Sequence, residues 1–192
     1  MKITVIGLGL IGGSLSLDLK TRGFATSTVG VDANPARAAQ AQALKLVDTI
    51  LPLAPALAQS DLVILAIPVG KIVQLLPEIL TLIGDHTTVT DMGSTKSSIC
   101  QTVADHPRRK NFVPSHPMAG TENSGPEAAL SGLFDQKTAV ICDRDQCGAT
   151  HLKRVQALYD VLQMRLVYMT AQEHDLHTAY VSHLSHISSF VL

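Results

Sequence analysis

Two stretches of this chain carry side chains suited to moving a proton next to a hydride. The first is Asp91-Met92-Gly93-Ser94-Thr95-Lys96, and the second is Ser115-His116-Pro117-Met118-Ala119-Gly120-Thr121-Glu122-Asn123-Ser124-Gly125. An imidazole with an ordinary pKa of about 6.5 can take a proton from a substrate hydroxyl near neutrality, which makes His116 the candidate base. Pro117 fixes the backbone after it, and the Ser94 hydroxyl is placed to orient the ring. Both residues also have plainer readings, Ser94 as a helix cap and His116 as a solvated turn residue.

A third stretch, Gly7-Leu8-Gly9-Leu10-Ile11-Gly12, matches the GxGxxG pattern. Its position, directly after a strand and directly before a helix, is what gives the match meaning. Gly7 permits a tight turn, Gly9 lets the backbone approach a pyrophosphate, and Gly12 lets the helix pack closely on the strand. The free N–H groups of the helix start then hold the phosphates. Asp32 lies 20 positions after Gly12 at the end of the second strand, where a carboxylate accepts hydrogen bonds from the adenosine ribose. A 2′-phosphate there meets a like charge, so NAD is expected over NADP, although Arg37 on the next helix offers partial compensation. Pro68, just past an apolar strand, completes the expected cofactor-binding set of Gly7, Leu8, Gly9, Leu10, Ile11, Gly12, Asp32, Pro68 and Ser94.

The elements that must position these groups alternate. Residues 2–6 form a β-branched run, and residues 10–23 show helical spacing ending at Gly23. Residues 28–32 read as a strand, Asn34-Pro35 as a cap and first turn, and residues 36–44 as an alanine-rich helix. Residues 62–67 form a continuous apolar strand of the kind buried on both faces, followed by a helix over about 71–83. Residues 87–91 form another strand. A helix capped by Ser94 is expected to run to about Asp105, with strands at 112–113, 138–142 and 165–168 and a helix at 149–162. This predicts an α/β fold: a Rossmann-type, doubly wound, mainly parallel sheet over residues 1–169. Ligands then bind at the carboxyl ends of its strands. From residue 170 the pattern becomes one helix, still apolar at Phe190, Val191 and Leu192. It reads as the start of an all-helical second domain for substrate binding and dimerisation, with the chain ending inside it.

The chain has 192 residues, 46% hydrophobic and 16% charged, with 15 basic against 16 acidic side chains. That balance offers no basic face for a phosphate backbone, so nucleic acid is not an expected partner. Cys100, Cys142 and Cys147 are odd in number and form no CxxC pair, which speaks against a disulfide framework or zinc knuckle and for a reducing cytoplasm. The uncharged run from Ile3 to Leu17 contains four glycines, which argues against a signal sequence or membrane segment.

The combination GLGLIGGS, DMGSTK, SHPMAGTENSG and VSHLSH, in this order and spacing, resembles the prephenate and arogenate dehydrogenase family across the whole chain. HPMAGTE is the most specific piece. The resemblance implies that His116 accepts the proton of the substrate's ring hydroxyl while hydride passes to NAD, that Ser94 bridges histidine and cofactor, and that loss of carbon dioxide aromatises the ring. It also implies that Thr121 and Glu122 lie beside the substrate, with Glu122 setting polarity at the mouth, and that His183 and His186 face the pocket. The familiar SHLPH form has proline where this chain has Ser185. A homodimer through the helical domain is implied as well. Prephenate is expected over arogenate, because GTENSGPEAA is more similar to bacterial prephenate enzymes.

The family holds substrate carboxylates with an arginine of the helical domain, yet residues 166–192 contain neither Lys nor Arg. Cofactor binding with little turnover is therefore expected of these residues alone. Three alternatives remain at this level. His174, His177, His183 and His186 form two i, i+3 pairs of the kind that can hold a metal, although no cysteine or well-placed carboxylate cluster completes a tetrahedral set, and the expectation is no metal. The other two readings are a non-catalytic NAD-binding module and a dehydrogenase of small hydroxy acids.

Overall fold

The computed structural model describes the backbone of residues 1–190 and the side chains of residues 1–180. The first half is a regular alternation: β1 (Lys2–Ile6), α1 (Leu10–Thr21), β2 (Ser27–Val31), α2 (Pro35–Ala43), β3 (Thr49–Ile50), α3 (Leu53–Ala58), β4 (Leu62–Leu65), α4 (Val69–Leu82), β5 (Thr88–Asp91), α5 (Ser97–Thr102) and β6 (Phe112–Val113). These strands form one parallel sheet in the order β3-β2-β1-β4-β5-β6. The order reverses between β1 and β4, and at such a switch point the loops leave a crevice at the carboxyl ends of the strands.

The unbroken apolar run of β4 follows from burial on both faces. Leu62 and Ile64 pack with Ile3, Val5, Leu15 and Leu19 in one core, whereas Val63 and Leu65 pack with Ile72, Leu76 and Ile79 of α4 in the other. Successive residues of a strand point to opposite sides, so a central strand with helices above and below needs apolar residues at every position.

The remaining elements are β7 (Ser115–Pro117), β8 (Thr138–Cys142), α6 (Ala149–Val161), β9 (Arg165–Met169) and α7 (Ala171–Phe190). They depart from the expected single sheet. β7, β8 and β9 form a separate three-stranded sheet, with β7 antiparallel to β8 and β8 parallel to β9. Pro114 marks the change. It has no N–H to continue the first ladder, while its carbonyl accepts from Cys142 N at 2.9 Å and so begins the second. His116 consequently lies within a strand rather than in a loop.

The short pieces β3 and α3 carry too few residues for a period to show, and residue patterning does not reveal them. The helix expected to begin at a Ser94 cap corresponds to α5, which starts three residues later with no side-chain cap of its own. Its first amides are instead met from α7: Asp175 Oδ1 accepts from Lys96 N at 2.6 Å and Oδ2 from Ser97 N at 2.8 Å. A carboxylate distant in sequence does the work that local sequence assigns to a serine.

Candidate active site

The glycine turn between β1 and α1 is built by close approach. Gly7 has φ +93°, a conformation that glycine adopts without cost, and a Cβ there would lie 2.4 Å from Ala66 O. A Cβ on Gly12 would fall 1.9 Å from Gly7 O. Gly9 differs, since a Cβ there would meet nothing within 4 Å and the residue has an ordinary negative φ. Nothing inside the chain requires glycine at position 9, so the open space above it is room for a ligand. The helix start beside it carries no side-chain cap, which leaves its amides for that ligand.

A cavity of about 520 Å³ opens here, lined by Gly7, Gly9, Asp32, Arg37, Pro68 and Lys71 among others. The two oxygens of Asp32 have separate tasks: Oδ2 accepts from Leu8 N at 2.9 Å and Oδ1 from Asn34 N at 2.8 Å. The carboxylate thus locks the glycine turn to the β2–α2 connection while standing in the cavity wall. Leu8 and Leu10 are buried in the core, and the Leu8 amide is committed to Asp32, so their side chains play no part in the cavity. Ile11 and Ser94 line a second cavity of about 290 Å³, together with Gly93, His116 and Pro117. The two cavities share Ala66, Ile67 and Pro68. The two cavities thus adjoin along this segment, one reaching Asp32 and the other His116.

Behind His116 lies a buried polar cluster. Lys96 is fully buried, with Nζ paired to Asp91 Oδ2 and donating to Ser115 O at 2.7 Å. Asp91 also accepts from Gly93 N at 2.9 Å and Ser115 N at 3.2 Å, and the Ser115 hydroxyl meets Tyr159 OH at 2.6 Å. A charge so deep persists only when paired and hydrogen-bonded, and this one has both a carboxylate and a backbone carbonyl as acceptors. The pair ties β5 to β7 and fixes the backbone on which His116 sits.

His116 Nδ1 bonds His174 Nε2 at 3.0 Å, and His174 Nδ1 bonds Asp175 Oδ1 at 2.9 Å. Nδ1 is therefore taken, and Nε2 remains for the cavity that His116 lines. Burial, then the positive charge of Lys96 and the proximity of a second ionisable ring at His174, push the His116 pKa down to about 4. The ring is neutral at physiological pH and able to accept a proton. Burial opposes the charge of Asp175, but bonds from the His174 ring and from the Ser97 and Lys96 amides prevail and hold its carboxyl below the usual value.

The structure brings together His116, Ser94, Pro68, Ile11 and the glycine turn. It corrects the orientation expected for the histidine: among the described hydrogen bonds the ring is held by His174, because α7 packs against α5 and presents that residue, while Ser94 only shares the cavity. Thr121 and Glu122 fall on an exposed stretch and are not among the cavity-lining residues. The side chains of His183 and His186 lie outside the described residues. No group of three or more candidate metal ligands occurs among the described residues, which include the side chains of His174 and His177 but not those of His183 and His186. Sequence reasoning passed over Lys96, Asp91, His174 and Asp175 as site residues. A lysine and an aspartate bracketing an otherwise uncharged motif were the available signal for the first two.

Sheet order, glycine turn and joined cavities define a Rossmann nucleotide-binding domain. Residues 15–168 match the model of the family described as prephenate dehydrogenase, nucleotide-binding domain, and the chain belongs to that family. It is 32% identical to the prephenate dehydrogenase of Lactococcus lactis, an alignment covering 100% of this chain and 52% of that protein. It is 30% identical to the cyclohexadienyl dehydrogenase of Zymomonas mobilis, covering 99% and 65%. The chain thus spans about half to two thirds of the length of these relatives. Among solved structures, prephenate dehydrogenase from Aquifex aeolicus superposes with a TM-score of 0.89 at 29% identity, covering 98% of this chain and 68% of the other. The same enzyme in complex with hydroxyphenyl propionate and NAD+ gives 0.87 at 30% identity, covering 100% and 67%. Synechocystis arogenate dehydrogenase gives 0.87 at 29%, covering 96% and 65%.

Proposed function

We propose that this chain forms the cofactor-binding and proton-accepting part of an NAD-dependent prephenate dehydrogenase, which converts prephenate to 4-hydroxyphenylpyruvate and carbon dioxide in tyrosine biosynthesis. The observation that carries this reading is that two cavities adjoin along Ala66, Ile67 and Pro68, with the Asp32 carboxylate in the wall of one and the His116 imidazole in the wall of the other. NAD fits the residues present: Asp32 suits an unphosphorylated ribose, Gly9 leaves space for the pyrophosphate, and the open end of α1 offers N–H groups. When bound, it supplies the acceptor for the hydride that leaves the ring carbon. His116 Nε2 takes the proton of the ring hydroxyl, and its low proton affinity keeps it ready to do so. Ser94 lies in the same cavity as a donor to the substrate oxygen or cofactor. Thr121, Glu122, His183 and His186 are assigned to the substrate side.

Arogenate is the second reading, favoured by the similarity to the Synechocystis enzyme. No helix among the described residues is long and apolar enough to cross a membrane, and with three free cysteines a cytoplasmic location is proposed. A homodimer through α7 is proposed from its exposed Leu176 and Tyr180, and light scattering tests it.

The decisive experiment uses an enzyme extended past Leu192 and follows NADH formation from prephenate and from arogenate, each with NAD and NADP, in wild type and in His116→Asn. Prephenate with NAD should be the fastest pair, and the variant should lose roughly 10² to 10⁴ in kcat with NAD affinity nearly intact. An unchanged rate in the variant removes His116 from the mechanism and with it this reading.

A further inference from the structure

We infer that His174 and Asp175 are positioning residues that fix the tautomer of His116, leaving Nε2 unprotonated toward the smaller cavity. This rests on the assignment of His116 as the proton acceptor. It follows from which atoms can donate. The Asp175 carboxylate is an acceptor only, so the His174 Nδ1 that meets its Oδ1 at 2.9 Å carries the hydrogen. With its single hydrogen on Nδ1, the His174 ring presents a bare Nε2, and the His116 Nδ1 that meets it at 3.0 Å is the donor. His116, neutral and protonated on Nδ1, has its lone pair on Nε2. The arrangement is a three-membered chain of carboxylate, imidazole and imidazole, each fixing the hydrogen position of the next.

Three features make this chain more than a chance contact. His174 is 2% exposed, so its hydrogen bonds face no competition from water. Asp175 cannot swing away, because its two oxygens also accept the Lys96 and Ser97 amides at the start of α5. The rings of His116 and His174 meet edge to face, with centroids 5.2 Å apart and planes at 75°, so a ring nitrogen of one points at a ring nitrogen of the other. The charged neighbours of His116 are Lys96 on one side and Asp175 beyond His174 on the other. Lys96 opposes a proton on the ring, while the carboxylate orders the hydrogens without bonding His116 itself. Free histidine favours hydrogen on Nε2, so a native Nδ1–H form at position 116 needs such a cause.

The test is nitrogen NMR on the full chain labelled with ¹⁵N-histidine at pH 7.5, assigned with single-histidine variants, beside turnover of prephenate with NAD. Wild-type His116 should show hydrogen on Nδ1 and a bare Nε2. His174→Phe preserves a buried ring but offers no acceptor. It should return His116 to the Nε2–H form and lower kcat by roughly 10²-fold with KM little changed. In His174→Gln, Oε1 stands near the place of Nε2, and both the Nδ1–H form and most of the rate should be retained. The inference is overturned if wild-type His116 carries its hydrogen on Nε2, or if His174→Phe leaves the tautomer unchanged whatever happens to the rate. Should His174→Phe fail to fold, the wild-type tautomer alone decides. Full turnover in His116→Asn sinks the base assignment instead, and the spectra still judge the chain of hydrogen bonds.

Discussion

The two cavities meet at Ala66, Ile67 and Pro68 but are assembled in different ways. The larger is made by chain neighbours: a turn whose glycines let backbone approach backbone, and an aspartate that reaches back from the next strand to the Leu8 amide. The smaller is made by convergence. Asp91 and Lys96 come from the end of β5, Ser115 and His116 from β7, Tyr159 from α6, and His174 and Asp175 from α7. Local geometry suffices to hold a cofactor that binds largely through backbone. Setting the protonation state of one imidazole takes a dry, charged environment, and only distant segments packed together supply it.

If convergence is what holds the smaller site, its keystone is the buried ion pair. Lys96→Met leaves Asp91 charged and alone at the core, and urea unfolding should show a loss of about 3–5 kcal/mol. The double change Asp91→Asn with Lys96→Met should cost less than the single one, and equal costs would break the claim that pairing is the cause.

The larger site makes opposite forecasts for two glycines three positions apart. Gly12→Ala pushes a Cβ against the Gly7 carbonyl, so both stability and NAD affinity should fall, by about 1–3 kcal/mol in stability. Gly9→Ala meets no atom of the chain, so its unfolding midpoint should stay within about 0.5 kcal/mol of wild type while NAD binds roughly tenfold more weakly. Calorimetric titration and thermal melts separate these, and a Gly9→Ala protein that binds NAD normally would show the space above position 9 to be incidental. Asp32→Asn should weaken NAD by a smaller factor and narrow the preference over NADP, with Arg37 and Lys71 in the same wall.

A further effect is in pH. His116 is held at a pKa of about 4, below its unfolded value of about 6.5, so above the unfolded value it adds no pH dependence. As pH falls from about 6.5 toward 4, the unfolded chain takes up a proton that the folded chain refuses, and stability declines through that window. Denaturant midpoints should therefore fall more steeply in wild type than in His116→Asn over that range. Parallel curves would show the imidazole to be no drier than in the unfolded chain.

Much of this molecule was legible in the order of its residues. A β-branched run, a glycine turn and an amphipathic helix imply one another through steric rules that act over a few residues, which is why the first crossover, Asp32 and the Rossmann architecture could be read directly. His116 was identifiable by type and Pro117 by its rigidity. The strand in which His116 sits was not, because Pro114 redirects the chain by a pairing with Cys142 that no local signal announces. Ser94 illustrates the same limit, since a serine before a helix is a sound local cap and yet a carboxylate from α7 occupies that role.

Sequence by itself determined the identity of the cofactor turn and the presence of an imidazole at position 116, because glycine stereochemistry and side-chain pKa are properties of single residues and short runs. Only the tertiary structure decided that Lys96 is buried against Asp91, that His116 is neutral, and that His174 rather than Ser94 holds it. Desolvation and hydrogen bonding between distant segments exist only once the core has closed.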